Sequence, residues 1–125
     1  VHACREPPEG REIQVHYHTV LFRFPDSTAQ DAIDDVLDGL RGLAAIPAVR
    51  SIAVGLNTMP VTDGWTHGMT IVFDSRTTMM ADFAPHPLHQ AVVRDQVPRF
   101  ERYMAMDVSS GPDERGRGDD DRTGR

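Results

Sequence analysis

The chain has 125 residues, 39% hydrophobic and 26% charged, with a net charge of −6. That length holds one domain. The acidic balance withholds the electrostatic term on which nucleic-acid binding rests, and no apolar run approaches the roughly 18 residues of a membrane span. A single cysteine, Cys4, excludes an internal disulfide framework and a cysteine-built zinc site. With no signal-peptide-like apolar stretch near its start, the chain reads as cytoplasmic.

Residues 1–14 are polar, contain Pro7, Pro8 and Gly10, and predict a loose arm. The run 15–24 is rich in β-branched and aromatic residues and predicts a strand. His16, His18, Val20, Phe22 and Phe24 share one face of it; Tyr17, Thr19, Leu21 and Arg23 share the other. Both faces are largely apolar, so the strand should be covered on both sides.

Pro25 and Asp26 break the strand, and Ser27 with Gln30 fits a capping box that opens a helix near residue 28. Ala29, Ile33, Val36, Leu37, Leu40, Leu43 and Ala44 recur at helical spacing. Asp31, Asp34, Asp35 and Asp38 fall opposite them and read as a solvated face. Pro47 ends the helix. A second strand is expected over 48–56, a loop with Pro60 and Asp63-Gly64 over 57–65, and a third strand over 66–74. In that strand His67, Met69, Ile71 and Phe73 share a face.

Ser75 suits the cap of a short helix over 76–84, which Pro85 and Pro87 break. A helix over 88–98 carries the stripe Leu88, Val92, Val93 and Val97, and a fourth strand is expected over 101–108. The tail, 109–125, has no apolar residue and should be disordered. The folded domain is thus 15–108. Its order, β-α-β-β-α-β, predicts an α+β, ferredoxin-like protomer with helices on one sheet face. The simplest cover for the other face is a second copy, which makes the chain a homodimer.

Five of the six histidines fall where chemistry is plausible: His16 and His18 at one strand start, His67 at another, and His86 and His89 in a proline-bounded turn. A turn could bring His86 and His89 to one side, or let one cap backbone while the other faces a cavity. By spacing alone each reads as a hydrogen-bonded structural histidine.

Four segments resemble the stress-responsive dimeric α/β-barrel (Dabb) family. They are His18-Thr19-Val20-Leu21-Phe22-Arg23-Phe24; Ile46-Pro47-Ala48-Val49 with Gly55-Leu56-Asn57; Trp65-Thr66-His67; and His86-Pro87-Leu88-His89 with Asp107. The resemblance implies a barrel made by two ferredoxin-like protomers. Some members are described only as stress proteins; the enzymatic relatives include polyketide cyclases of the olivetolic acid type, which close a poly-β-ketone without a cofactor. Carried over, the catalytic base is His89, Asp107 orients it, and His18 and His67 are further pocket histidines. One position departs: a tyrosine is expected where this chain has Phe83. Phenylalanine cannot donate a hydrogen bond, so Tyr17, Tyr103, His67 or His18 would have to replace it.

The implied function is cofactor-free acid/base catalysis on a hydrophobic polyketide-like or β-dicarbonyl substrate, by cyclisation, dehydration or isomerisation. Phe22, Phe24, Met69, Ile71, Phe73, Met79, Met80 and Phe83 could line its pocket, with Trp65, Asn57 and His86 near the rim. Each apolar residue reads equally as core. Alternatives are a non-catalytic stress or small-ligand-binding protein, a metal enzyme built on the histidines, and a haem-handling protein. Arg23, Arg94, Arg99 and Arg102 could hold an acidic substrate but more often pair with surface acids.

Overall fold

A computed structural model of the chain describes residues 14–111. Strands β1 (Val15–Arg23), β2 (Ser51–Leu56), β3 (His67–Phe73) and β4 (Arg102–Ser110) form one sheet in the order β2-β3-β1-β4. All three pairings are antiparallel. This is the ferredoxin-like α+β arrangement, in which β3 fills the gap that the first β-α-β unit leaves between its strands.

Alternation along the strands decides what is inside. On β3, His67, Met69, Ile71 and Phe73 are buried and the residues between them are half-buried. They join Val20 and Phe22 of β1 and Phe24 just beyond it. Against this layer lie Val36, Leu37 and Leu40 of α1 (Gln30–Arg41), with Leu43 and Ile46 following. Removing a side chain such as Phe22 or Phe73 from water contributes roughly 1.5–3 kcal/mol. Asp31, Asp34, Asp35 and Asp38 are exposed on the far side of α1, as its periodicity requires.

The start of α1 differs from the expected capping box. Thr28 N–H donates to the Pro25 carbonyl at 2.9 Å, and this turn leaves Ser27 short of the helix. Ala29 occupies the cap with no side-chain bond, while Gln30 Nε2 donates to Asp34 Oδ1 at 2.9 Å. The helix tightens into a 3₁₀ turn over Gly42–Ala45. A further turn, Val49 N–H to the Ile46 carbonyl at 2.9 Å, delays β2 to residue 51.

Asp63 and Gly64 take positive φ values of 54° and 86° in the turn closed by Trp65 N–H on the Thr62 carbonyl. Asn57 fastens this loop, donating from Nδ2 to the Trp65 carbonyl at 2.7 Å and accepting from Met59 N–H at 3.0 Å.

Ser75 Oγ accepts from Thr78 N–H at 3.0 Å and caps α2 (Arg76–Thr78) as expected. The chain then widens into a π-helical turn over Met79–Phe83. Helix α3 spans Pro87–Asp95 and a 3₁₀ turn follows over Val97–Arg99. On the expected stripe, Val92 and Val97 are half-buried, but Leu88 and Val93 are 41% and 49% exposed. Strand β4 continues to Ser110, past its expected end at 108. Apart from residues 14 and 109–111, the expected loose arm and disordered tail lie outside the described residues.

The helices cover one sheet face. The other presents Tyr17 beside Met104, Met106 and Val108, which are 37%, 49%, 58% and 46% exposed. Among the described residues no helix is long and apolar enough to cross a membrane.

Candidate active site

The register of β1 against β4 sets His18 opposite Asp107 on the helix-covered face. His18 Nδ1 lies 2.5 Å from Asp107 Oδ1. A carboxylate only accepts, so His18 carries its proton on Nδ1 and keeps Nε2 for something else.

His89 reaches the same tautomer by a different route. Pro85 and Pro87 stop the preceding helix, and His86 caps α3, its Nδ1 accepting from Leu88 N–H at 3.1 Å. One turn into α3, His89 Nδ1–H donates to the Ala84 carbonyl at 2.9 Å. That carbonyl stands at the end of the π-helical turn, where the wider winding leaves a backbone acceptor outside the helix ladder. Among the described residues, no protein group bonds Nε2 of either His18 or His89.

Both imidazoles line one cavity of about 210 Å3 between the sheet and α3. Its walls are Val20, Phe22, Met69, Phe83, Phe100 and Ala105, with Leu40, Leu43, Val92, Val93 and Val97 from the helical layer. Tyr103 of β4 is the third polar side chain on the wall, and no arginine or carboxylate lines it. The Phe83 ring lies 4.5 Å from His89 and 6.5 Å from His18, centroid to centroid.

The structure rearranges the residues expected from the resemblance. Asp107 serves His18 and not His89, because the strand register puts it there and the Ala84 carbonyl already occupies His89. His67 is outside the cavity. It is buried, stacked on Phe22 at 5.7 Å and edge-on to Phe24 at 5.3 Å, with Nδ1 2.8 Å from Thr66 Oγ1. That burial lowers its pKa below the ordinary 6.5, since the charged form is poorly solvated there.

Of the expected lining, Phe22, Met69 and Phe83 are in the wall. Phe24, Ile71, Phe73 and Met79 are core, and Met80 is 49% exposed. His86 is spent on its cap, and Trp65 lies under the guanidinium of Arg102 at 4.7 Å. The other arginines also have partners: Arg23 with Glu101 and Asp26, Arg94 with Asp95, Arg99 with Asp35. Among the proposed replacements for the missing tyrosine, Tyr103 and His18 reach the cavity, whereas Tyr17 points to the open sheet face. The aliphatic wall from α3 was hidden in the sequence as an ordinary helix stripe. Among the described residues no three His, Cys, Asp or Glu side chains gather as metal ligands, and Cys4 and His2 lie outside them.

A fold of this kind with a histidine-lined cavity has relatives. The model of the stress responsive A/B barrel domain matches residues 17–110, and the chain belongs to that family. A Dabb family protein with a ferredoxin-like fold from Mesorhizobium loti superposes with a TM-score of 0.69 at 24% identity, covering 79% of this chain and 99% of that one. A hydroxynitrile lyase from Passiflora edulis gives a TM-score of 0.71 at 18% identity, covering 80% and 96%. A dimeric ferredoxin-like protein of unknown function from Thermobifida fusca gives 0.67 at 23% identity, covering 78% and 92%. Likeness at these identities establishes the fold alone. No curated protein sequence matches the chain.

Proposed function

We propose that the protein is a cofactor-free acid/base enzyme acting on a small, neutral, apolar carbonyl compound, polyketide-like or β-dicarbonyl. The observation that carries this reading is the pair of imidazoles, each with Nδ1–H engaged and Nε2 unclaimed, on one apolar cavity wall. The wall offers no counter-charge to an ionic substrate, so the buried part of the ligand is uncharged.

In the proposed step His89 Nε2 takes a proton from the carbon beside the carbonyl. Its Nδ1 partner is a neutral backbone carbonyl, which holds the ring in the basic tautomer. The electron pair released moves to the carbonyl oxygen. There His18, carrying a second proton on Nε2 with Asp107 as counter-charge, or the Tyr103 hydroxyl, donates. The enolate so formed can close on a second carbonyl, lose water, or take the proton back at another carbon. A lyase among proteins of this fold suits acid/base work beside an oxygen. Two copies pairing through the open sheet face would cover Met104, Met106 and Val108, in keeping with relatives described as dimeric.

The test is deuterium uptake from D₂O at the acidic carbon of an apolar β-keto ester. The expected result is exchange dependent on the protein and lost in His89→Ala. Exchange at the uncatalysed rate across a panel of such esters, or exchange unchanged in both His89→Ala and His18→Ala, would overturn the reading. A ligand that binds without any exchange would mark the cavity as a binding site only.

A further inference from the structure

We infer that His16 is a positioning residue of this site, holding the second oxygen of Asp107 through Nε2–H and so keeping that carboxylate turned toward His18. The inference deepens the reading above and depends on it for its bearing on turnover.

His16 precedes His18 by two residues on the same face of β1. Ser109 stands opposite it in the β4 register, as Asp107 stands opposite His18. On the other side its β3 partner is the apolar Phe73. The imidazole is 1% exposed. Its Nδ1 lies 2.7 Å from Ser109 Oγ. Its Nε2 is buried with no hydrogen-bond partner and lies 3.6 Å from Asp107 Oδ2.

The two tautomers of this ring are not equivalent. With the proton on Nδ1, Ser109 would accept it, and a bare Nε2 lone pair would face a carboxylate oxygen inside the fold. Two acceptors would then oppose each other where no solvent relieves them. With the proton on Nε2, the Ser109 hydroxyl donates to Nδ1 and Nε2–H faces Asp107 Oδ2. Closing that contact to a charge-assisted bond takes a movement of about 0.7 Å. The carboxylate would then be held at both oxygens, Oδ1 by His18 and Oδ2 by His16, and could not rotate away from His18. The serine is part of the device, because its hydroxyl can donate to Nδ1 and leave the ring's proton on the other nitrogen.

The experiment is imidazole ¹H–¹⁵N spectroscopy of the full chain at neutral pH, on wild type, His16→Gln and His16→Leu. In wild type His16 should carry a proton on Nε2 and His18 on Nδ1. Glutamine retains an N–H donor and should preserve the His18 Nδ1–H resonance; leucine removes it, and the resonance should vanish through tautomer exchange. A wild-type His16 protonated at Nδ1 alone overturns the inference. So does an unchanged His18 resonance in folded His16→Leu, or its loss in both variants. If His16→Leu does not fold, the wild-type tautomer and His16→Gln decide. None of these signals requires a substrate, so this inference fails or stands separately from the proposed chemistry.

Discussion

The ring of Phe83 packs against the imidazole of His89, 4.5 Å between centroids and tilted by 42°, while its other contact, edge-on at 4.8 Å, is Phe73. One side chain thus joins the hydrophobic core to a cavity histidine. Replacing it with alanine removes both contacts and leaves a void that the surrounding sheet cannot close. Phe83→Ala should lower unfolding free energy by about 3–5 kcal/mol, read from denaturant midpoints.

His89→Ala and His18→Ala should each lower turnover by roughly 10²–10⁴-fold with the fold retained, the range for losing one acid/base group. Asp107→Asn should fall in the same range, because an amide presenting N–H to His18 Nδ1 inverts the tautomer. Rates on variants with native circular dichroism check this, and a folded His89→Ala with undiminished rate would remove it as the base.

His86→Ala should separate stability from chemistry. Its Nδ1 accepts the Leu88 N–H at the start of α3, and it does not line the cavity. Loss of a helix cap costs about 0.5–2 kcal/mol. The melting temperature should fall while turnover per folded molecule holds.

His67 makes stability depend on pH. Burial lowers its pKa in the folded chain below 6.5, so between the two values the unfolded state binds more protons. Its contribution is complete above 6.5 and is lost as pH falls from there through the folded value. Denaturant midpoints taken at about pH 7.5 and about pH 5.5 should therefore drop toward acid, and the drop should shrink in His67→Leu.

The exposed apolar side of β4 predicts association. Met106→Arg puts a charge in the middle of that face, where a partner sheet would have to bury it. Sedimentation should give twice the chain mass for the native protein and the single-chain mass for the variant. A native protein that sediments as one chain at micromolar concentration would count against pairing through this face.

Strand and helix order was legible because the periods are clean: two along His67–Phe73 and 3.6 along α1. Periodicity assigns a face but not a depth. Phe24 and Ile71 share their faces with Phe22 and Met69, yet only the latter pair reaches the cavity. The short motif around His86 and His89 marked the right turn and left open which histidine would cap it. The partner of Asp107 was out of reach, since it depends on how β4 is registered against β1 across some ninety residues of chain. The Ser27 box failed for a local reason: Pro25 draws Thr28 into a turn of its own before α1 begins.

The π-helical winding of Met79–Phe83 makes the site sensitive to chain length as well as to side-chain identity. A π turn is an α turn with one residue too many. Deleting a single residue there would let the segment relax to regular helix and swing everything after it by about 100° around the axis. The Ala84 carbonyl would leave His89 Nδ1, and the ring would be free to exchange tautomers. An insertion or deletion at this one place could therefore switch the histidine between base and bystander without altering any residue that lines the cavity.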